Sequence, residues 1–237
     1  MCGRYVSREQ AAIEREYDVK VRNPFERVYN AAPTMSLPVI RNIAGGESGG
    51  REVLSMRWGL IPGWWSQPTL PTATINARSE DADTKPMWRD AVRRSRCLVP
   101  ALGWYEWHAG PDGKVPYFVH MPGGLAGLCF AGLWSEWKNP QGEPQLSFAI
   151  LTRAASPTMV ALHHRMPVVL PPASWDDWLD HWPGGQAGRL AAQVSGSEGN
   201  FEYYAVGRYV NAPRNQGERC IEPAKPSLVT GLAPPHS

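Results

Sequence analysis

Short stretches of apolar residues, separated by turn-forming residues, run along most of the chain. Seven of them have the length and the β-branched or aromatic content of strands: Leu37–Arg41, Val53–Trp58, Cys97–Leu102, Tyr117–Met121, Leu128–Trp134, Leu146–Thr152 and Tyr203–Val210. Proline and glycine, 23 of each, interrupt the chain between these stretches. The glycine-rich run from Gly45 to Gly50 predicts a flexible hairpin loop between two strands.

Helical spacing of apolar residues is confined to a few segments. Ser7 followed by Gln10 matches a capping box, which predicts a helix to about Tyr17, after an N-terminal strand over Met1–Tyr5. Further helical patterns cover Pro86–Arg94, Ser174–His181 and Gln186–Ala192. Because strands and helices do not alternate regularly, the pattern predicts an α+β fold around a mainly antiparallel sheet rather than a Rossmann-type fold.

The chain reads as one domain, since it has neither an internal repeat nor a linker long enough to divide it. Its 237 residues, 43% of them hydrophobic, can form a sizeable core. No run approaches the roughly 20 uninterrupted apolar residues of a membrane helix, and the N-terminus lacks the pattern of a signal peptide. We therefore expect a soluble, cytoplasmic protein whose last dozen proline-rich residues are frayed.

Cysteine spacing and charge exclude several classes of protein. The cysteines at 2, 97, 129 and 220 form no Cys-x-x-Cys pair, which argues against a disulfide scaffold and a zinc ribbon. The formal net charge is only +2, but residues 1–100 carry 15 basic and 11 acidic side chains. Of the 24 basic residues 19 are arginine, whose planar fork suits phosphates and rings.

Cys2 is the residue with the most specific chemistry. Removal of Met1, expected before a residue this small, would leave an α-amine and a thiol on Cys2, both partly nucleophilic near neutral pH. The amine can form a Schiff base with an aldehyde, and the thiol can then close a thiazolidine ring. Attack on an amide would instead give an N-terminal-nucleophile hydrolase. The plainer alternative is a small apolar residue in a strand.

Three polar segments could support such chemistry. Asn76 and Arg78 are two apart, so an extended segment turns both to one side, although a capped strand end would look the same. Glu106 stands among aromatic residues, where burial would raise its pKa, or it is exposed. His163 precedes His164 and Arg165. Adjacent histidines of an extended chain face opposite sides, so they are poor joint metal ligands, and a satisfied histidine is the alternative.

Two further groups could contact nucleic acid. Trp64 and Trp65 follow a Pro-Gly turn, where two large rings are hard to bury together, and one of them could stack on an unpaired base. The other group is a basic cluster on and after the helix predicted over Pro86–Arg94, formed by Arg89, Arg93, Arg94 and Arg96. Such a cluster is usually a solvated face, but it could contact a phosphate backbone.

Seven motifs in order resemble one family over nearly the whole chain. They are Met1-Cys-Gly-Arg-Tyr5, Tyr29-Asn-Ala-Ala-Pro-Thr34, Arg57-Trp-Gly-Leu-Ile-Pro62, Ile75-Asn-Ala-Arg-Ser-Glu80, Gly103-Trp-Tyr-Glu-Trp107, His163-His-Arg-Met-Pro167 and Val210-Asn211. Together they resemble the SRAP family, the SOS-response-associated peptidase or abasic-site-processing proteins. The resemblance implies one SRAP-type domain over residues 2–222, with a barrel-like sheet and flanking helices, and a proline-rich tail over residues 223–237.

The family resemblance also implies a function and a set of site residues. It implies capture of abasic sites in single-stranded DNA as a covalent thiazolidine crosslink, weak abasic-site lyase activity, and a peptidase activity that concerns self-processing at Met1. The implied catalytic set is Cys2, Asn76, Glu106 and His163. The implied DNA-binding set is Arg4, Arg78, Trp107, Arg165, Pro33, Trp64 and Trp65.

The remaining expectations concern partners and alternatives. We expect abasic single-stranded DNA as the partner, a monomer, and neither a cofactor nor a metal. Two other functions stay open from the sequence. One is an N-terminal-nucleophile cysteine hydrolase or peptidase that acts on proteins, and the other is a non-covalent single-stranded DNA binder in which Cys2 is structural.

Overall fold

The structure is a computed structural model that describes residues 2–43, 50–67, 69–110, 113–124, 126–180, 186–195 and 200–224. Within these ranges lie ten strands: β1 (Tyr5–Ser7), β2 (Ser36–Asn42), β3 (Arg51–Trp58), β4 (Asn76–Arg78), β5 (Arg96–Gly110), β6 (Gly113–His120), β7 (Leu128–Lys138), β8 (Pro144–Ala154), β9 (Arg165–Pro167) and β10 (Glu202–Ala205). They form one sheet. The predicted α+β fold with a mainly antiparallel, barrel-like sheet is confirmed.

Five strands close into a barrel. β5 pairs with β2, β2 with β3, β3 with β8, β8 with β7, and β7 returns to β5. Only the β3–β8 pair in this ring is parallel, so the barrel is mixed. The long strand β5 also pairs with β1 and β6, which extends the sheet beyond the barrel. Closure leaves few exposed strand edges in the ring.

Four helices cover the sheet: α1 (Gln10–Tyr17), α2 (Arg89–Arg94), α3 (Trp175–Leu179) and α4 (Gln186–Ser195). All four lie within or overlap segments with predicted helical spacing. The pattern over Pro86–Arg94 overestimated α2, which starts only after Trp88, and the last residue of Ser174–His181 lies outside the described residues. No helix in the described ranges is both long enough and apolar enough to cross a membrane.

Alternate residues of the barrel strands fill the interior, and the residues between them pack outward against the helices. The interior cluster contains Trp58, Trp104 and Phe148, all fully buried, with the Trp58 and Phe148 rings stacked 6.3 Å apart. The outer cluster includes Ile13 of α1 and Trp178 of α3. The four cysteines are free and buried, one of them being Cys2.

The predicted start of the chain is wrong in two respects. The first strand covers Tyr5–Ser7 rather than Met1–Tyr5. Ser7 does not cap α1, because its hydroxyl accepts a hydrogen bond from the Val28 amide at 2.8 Å and the helix N-cap is Glu9. Tertiary pairing with β5 thus overrides a local capping pattern.

The strand predicted over Tyr203–Val210 also ends early. β10 stops at Ala205, and Arg208–Asn211 form a 3₁₀ turn whose last two carbonyls accept hydrogen bonds from the Arg4 guanidinium. The predicted hairpin between β2 and β3 is confirmed by their antiparallel register. The glycines at 45, 46 and 49 lie outside the described residues, as do positions 225–237 of the proline-rich tail.

Candidate functional site

The N-terminal segment is laid along β5. Tyr5 pairs with Trp104 in antiparallel register, and the Tyr105 amide donates to the Arg4 carbonyl at 3.0 Å. Continued beyond Tyr5, this antiparallel register brings Gly3 opposite Glu106. Cys2 then lies beside that carboxyl, whose charge acts on the Cys2 thiol.

Cys2 is fully buried in this position. Its carbonyl accepts a hydrogen bond from Asn76 Nδ2 at 2.8 Å, and its Sγ lies 4.0 Å from the Arg4 carbonyl oxygen. Burial, and secondarily the charge of Glu106, raise the pKa of the Cys2 thiol well above its ordinary value. The thiol is therefore protonated at neutral pH in the chain as translated, and a base is needed to activate it.

Asn76 is positioned by the parallel pairing of β4 with β8, in which it stands opposite Ile150. Alternation along β4 buries Ala77 and turns Asn76 and Arg78 to the other side, as the spacing predicts. The Asn76 Oδ1 atom is buried and has no hydrogen-bond partner within the described part of the chain. A buried acceptor of this kind suits a donor from a bound molecule.

Glu106 is only 3% exposed, which is the burial that its aromatic neighbours suggested. Burial raises the pKa of its carboxyl to about 7. A carboxyl with this pKa can both give and take a proton at neutral pH, which suits general acid-base catalysis.

His163 lies just before β9, and its ring is held by the backbone of Arg165. His163 Nδ1 lies 2.9 Å from the Arg165 amide nitrogen and 3.0 Å from the Arg165 carbonyl oxygen. Burial lowers the pKa of His163, which favours the neutral imidazole. His163 and His164 do not face opposite sides as predicted, because the turn stacks their rings 4.3 Å apart.

Arg165 is held by acidic and neutral oxygens. Its Nη2 donates to Glu80 Oε2 at 2.9 Å and to the Thr152 carbonyl at 2.7 Å, and its Nη1 also bonds to Glu80. Thr152 is also the register partner of the exposed Arg78. Two of the three arginines in the implied DNA-binding set, Arg78 and Arg165, thus lie at the same end of β8.

Arg4 and Trp107 form a second basic group. The Arg4 guanidinium carbon lies 5.7 Å from the centroid of the Trp107 ring. The Trp107 indole donates to Asn211 Oδ1 at 2.9 Å, and Arg4 Nη1 donates to Asn30 Oδ1 at 2.6 Å. The polar segment around Asn211 is therefore part of this group.

The remaining DNA-binding candidates lie on separate turns. Trp64 is 54% exposed, and the carbonyl of the half-buried Trp65 accepts a hydrogen bond from the Trp137 indole at 2.7 Å. Pro33 precedes Thr34, whose amide donates to the Trp58 carbonyl at 2.8 Å. The exposed Trp64 ring is free of the core, as the consecutive tryptophans predict.

The predicted basic cluster after α2 does not act as one surface. Arg96 is buried, and its guanidinium donates to the carbonyls of Val92, Trp178 and Asp180. Its charge holds helix ends, which is a structural role. Arg89, Arg93 and Arg94 remain exposed on α2.

This arrangement can be compared with known proteins. The family model described as SOS response associated peptidase (SRAP) matches residues 1–213. The chain belongs to the SRAP family. The SRAP match covers both ends of the candidate site, from Cys2, ahead of β1, to the turn that contains Asn211.

Similar proteins have consistent names. Abasic site processing protein YoqW of Bacillus subtilis (strain 168) is 30% identical over 227 residues, which cover 94% of this chain and 99% of that protein. Abasic site processing protein YedK of Escherichia coli (strain K12) is 33% identical over 167 residues, covering 70% of this chain and 72% of YedK. Abasic site processing protein HMCES of Gallus gallus is 30% identical over 224 residues, which cover 82% of this chain and 66% of that protein.

Solved structures agree with this SRAP fold. A protein from Bacteroides thetaiotaomicron has a TM-score of 0.79 at 20% sequence identity, covering 95% of this chain and 100% of that one. A protein from Bordetella bronchiseptica has a TM-score of 0.71 at 25% identity, covering 87% of this chain and 100% of that one.

Two residues of this SRAP site, Asn30 and Glu80, are not among the site residues predicted from the sequence. Asn30 is fully buried, and its amide donates to three carbonyls about 180 residues away along the chain. Glu80 holds Arg165. Both stand inside motifs that carry the family resemblance, which is the only signal the sequence offers for them. No group of three or more metal-ligating side chains occurs in the described ranges.

Proposed function

We propose that the chain traps abasic sites in single-stranded DNA by forming a covalent thiazolidine crosslink through Cys2 after removal of Met1. The observation that carries this proposal is the Asn76–Cys2 hydrogen bond of 2.8 Å beside the buried Glu106. It fixes an N-terminal nucleophile next to a proton-exchanging carboxyl. The names of the similar proteins, which all specify abasic site processing, support the same reaction class.

The reaction balances with the loss of one water. The Cys2 α-amine adds to the aldehyde carbon of the ring-opened sugar, and the resulting carbinolamine loses water to form a Schiff base. The Cys2 sulfur then bonds to the imine carbon, the thiol proton passes to nitrogen, and a five-membered ring results. No oxidant or metal is required for these steps.

The neighbouring side chains have roles that match their protonation states. The neutral His163 imidazole can take the proton that the carbinolamine nitrogen loses and pass it to the hydroxyl, which leaves as water. Glu106, with a pKa of about 7, can take the proton of the Cys2 ammonium and return one during ring closure or reversal. Asn76 orients Cys2 through its carbonyl, and its Oδ1 accepts a hydrogen bond from the opened sugar.

The surrounding arginines and rings bind the strand that contains the lesion. Arg4, Arg78 and Arg165 contact phosphates. We call the surface that these arginines share with Trp107 the groove. Pro33, Trp64 and Trp65 stack near the lesion, which suits unpaired bases. We further propose that the protein acts as a cytoplasmic monomer, that elimination from the Schiff base gives weak lyase activity, and that peptidase activity is limited to self-processing at Met1.

The test uses an oligonucleotide with one abasic site and denaturing electrophoresis. Cys2→Ala and Cys2→Ser are both expected to lose the heat-stable crosslink and to keep an adduct only after borohydride reduction, because the α-amine remains in each variant and the thiol does not. Cys220→Ala is the matched control, since Cys220 is also a buried free cysteine, and it should crosslink normally. A full-strength crosslink in Cys2→Ala contradicts the proposal.

The two open alternatives give different outcomes in the same assay. Turnover of peptides at a rate that DNA does not change, with no crosslink, would support the N-terminal-nucleophile hydrolase. Binding that ignores the lesion and survives blockage of Cys2 would support a non-covalent DNA binder.

A further inference from the structure

The 3₁₀ turn after β10 and the segment that follows it present a basic surface beside the candidate site. We propose that this surface, the Tyr209 patch, binds the DNA strand on one side of the lesion. The patch consists of Arg208, Tyr209 and Arg219, which line one cavity. The inference rests on the proposed function, since it assigns a path to the strand that the site would hold.

The patch is continuous with the groove through direct hydrogen bonds. Arg4 Nη1 donates to the Val210 carbonyl at 3.1 Å and Arg4 Nη2 donates to the Asn211 carbonyl at 3.3 Å. The Trp107 indole bonds to the Asn211 side chain at 2.9 Å. Tyr209 therefore precedes Val210, whose carbonyl accepts from Arg4, and it is two residues from Asn211, which contacts both Arg4 and Trp107. A strand leaving these two residues meets the patch next.

The patch has the chemistry of a single-strand binder. The Arg219 guanidinium carbon lies 4.4 Å from the centroid of the Tyr209 ring. Stacking uses the face of the guanidinium and leaves its in-plane N–H donors for a phosphate. Arg219 is exposed and forms no ion pair with any described residue. Rings combined with arginines bind unpaired strands regardless of base sequence.

The patch also lines a cavity of about 380 Å³. Its lining includes Arg208, Tyr209 and Arg219, together with Glu222 and Pro223. Glu222 is the one carboxylate among its described lining residues, and it would oppose a phosphate. Neutralising it should therefore strengthen binding of DNA.

The patch is preorganised relative to Arg4. The side-chain amide of Asn215 donates to the Tyr209 carbonyl at 2.6 Å. The Asn30 amide donates to the carbonyls of Val210 and Asn215 at 3.0 and 3.1 Å, while Asn30 Oδ1 accepts from Arg4. One buried side chain thus fixes both the groove arginine and the patch, so a strand bound to the patch is held in register with Cys2.

The test compares oligonucleotides that differ in where the lesion lies. One carries a long flank on the 5′ side of the abasic site and a minimal flank on the 3′ side, and the other is reversed. Crosslinking rates below saturation are measured for Tyr209→Ala, Arg219→Ala and Glu222→Gln. The control is Arg15→Ala, since Arg15, like Arg219, is an exposed arginine but lies on α1.

We expect Tyr209→Ala to slow crosslinking about fivefold or more with one oligonucleotide only, and Tyr209→Phe to restore the rate. Arg219→Ala should lower the slope of log affinity against log salt by about 0.7 for that oligonucleotide. Glu222→Gln should raise its rate, and Arg15→Ala should change neither.

Equal rates for all variants with both oligonucleotides would overturn the inference, as would the same loss in Arg15→Ala. These outcomes leave the crosslink itself intact. If the unaltered chain forms no crosslink with either oligonucleotide, the proposed function fails instead, so the two failures are distinguishable.

Discussion

At the scale of single residues, burial sets the protonation of the groups around Cys2. Glu106 has its pKa raised from 4.5 to about 7, the Cys2 thiol is shifted upward, and the His163 imidazole is shifted downward. The folded protein therefore holds a protonated thiol, a neutral imidazole and a carboxyl that titrates near neutrality. None of these states requires a metal to explain it.

Glu106 makes stability depend on pH. Between pH 4.5 and pH 7 the folded chain binds more protons at Glu106 than the unfolded chain does, so stability falls as the pH rises through this range. The loss amounts to about 3 kcal/mol. Urea unfolding of the protein and of Glu106→Gln at pH 4.5 and pH 8 should show this difference between the two chains. An identical pH dependence in both would contradict the assigned burial.

Asn76 is expected to affect reaction more than folding. Asn76→Ala removes the donor to the Cys2 carbonyl, which frees the nucleophile to move. We expect the crosslinking rate to fall about tenfold or more, because misplacement of a reacting group is costly. Stability should change by only about 1 kcal/mol. Loss of stability with an unchanged rate per folded molecule would contradict the positioning role.

Local sequence predicts only part of this residue-level picture. The burial of Glu106 follows from its aromatic neighbours, and the shared side of Asn76 and Arg78 follows from strand alternation. The three acceptors of Asn30 lie about 180 residues away, so no local pattern announces them. The stacked His163 and His164 contradict an extended-chain assumption, because a turn replaces the strand there.

At the scale of elements, β5 organises the site. Its register with β1 brings in Cys2, and its pairing with β6 places Glu106 opposite Tyr117. Gly103 of β5 leaves no room for a side chain against β6: a Cβ there would lie 2.3 Å from the Val119 carbonyl oxygen and 2.4 Å from the Phe118 ring. The strand must carry glycine at this position.

Gly103→Ala is expected to destabilise the protein by about 3 kcal/mol, because a backbone oxygen cannot move aside as a flexible side chain can. Calorimetry should show the loss as a lowered melting temperature. Gly207→Ala is the matched control, since nothing lies within 4 Å of a Cβ at that position. Equal melting temperatures for the two variants would contradict the close approach of β5 and β6.

Most strands are predictable from apolar runs, whereas their ends are not. β5 extends from Arg96 to Gly110, well past the predicted Cys97–Leu102, because its second half pairs with β6 rather than facing solvent. The capping box at Ser7 fails for a related reason, since the Ser7 hydroxyl bonds to Val28. In both cases long-range pairing decides what the local pattern leaves undetermined.

At the scale of the whole molecule, the N-terminal segment and the segment around Asn211 are joined at the site. Asn30, in the loop after α1, links Arg4 to the segment around Asn211 through six hydrogen bonds, counting those of its own backbone amide and carbonyl. The family match over residues 1–213 contains most of the residues joined in this way. The site is complete only when the whole barrel has formed.

Asn30→Ala removes the hydrogen bonds to the carbonyls of Val210, Ala212 and Asn215 and should destabilise the protein by about 2–4 kcal/mol. The same change frees Arg4, so DNA binding should weaken more than it does in Arg15→Ala. Hydrogen exchange should show faster opening of residues 208–220 in the variant. Unchanged protection there would contradict the role of Asn30 as the link between the two segments.

The most direct test of the central claim is intact mass spectrometry, before and after incubation with an oligonucleotide that carries one abasic site. We predict a starting mass that lacks Met1, followed by a shift equal to the oligonucleotide minus one water, with fragmentation placing the adduct on Cys2. A protein that keeps Met1, or that loses Met1 and stays unmodified, would contradict the account.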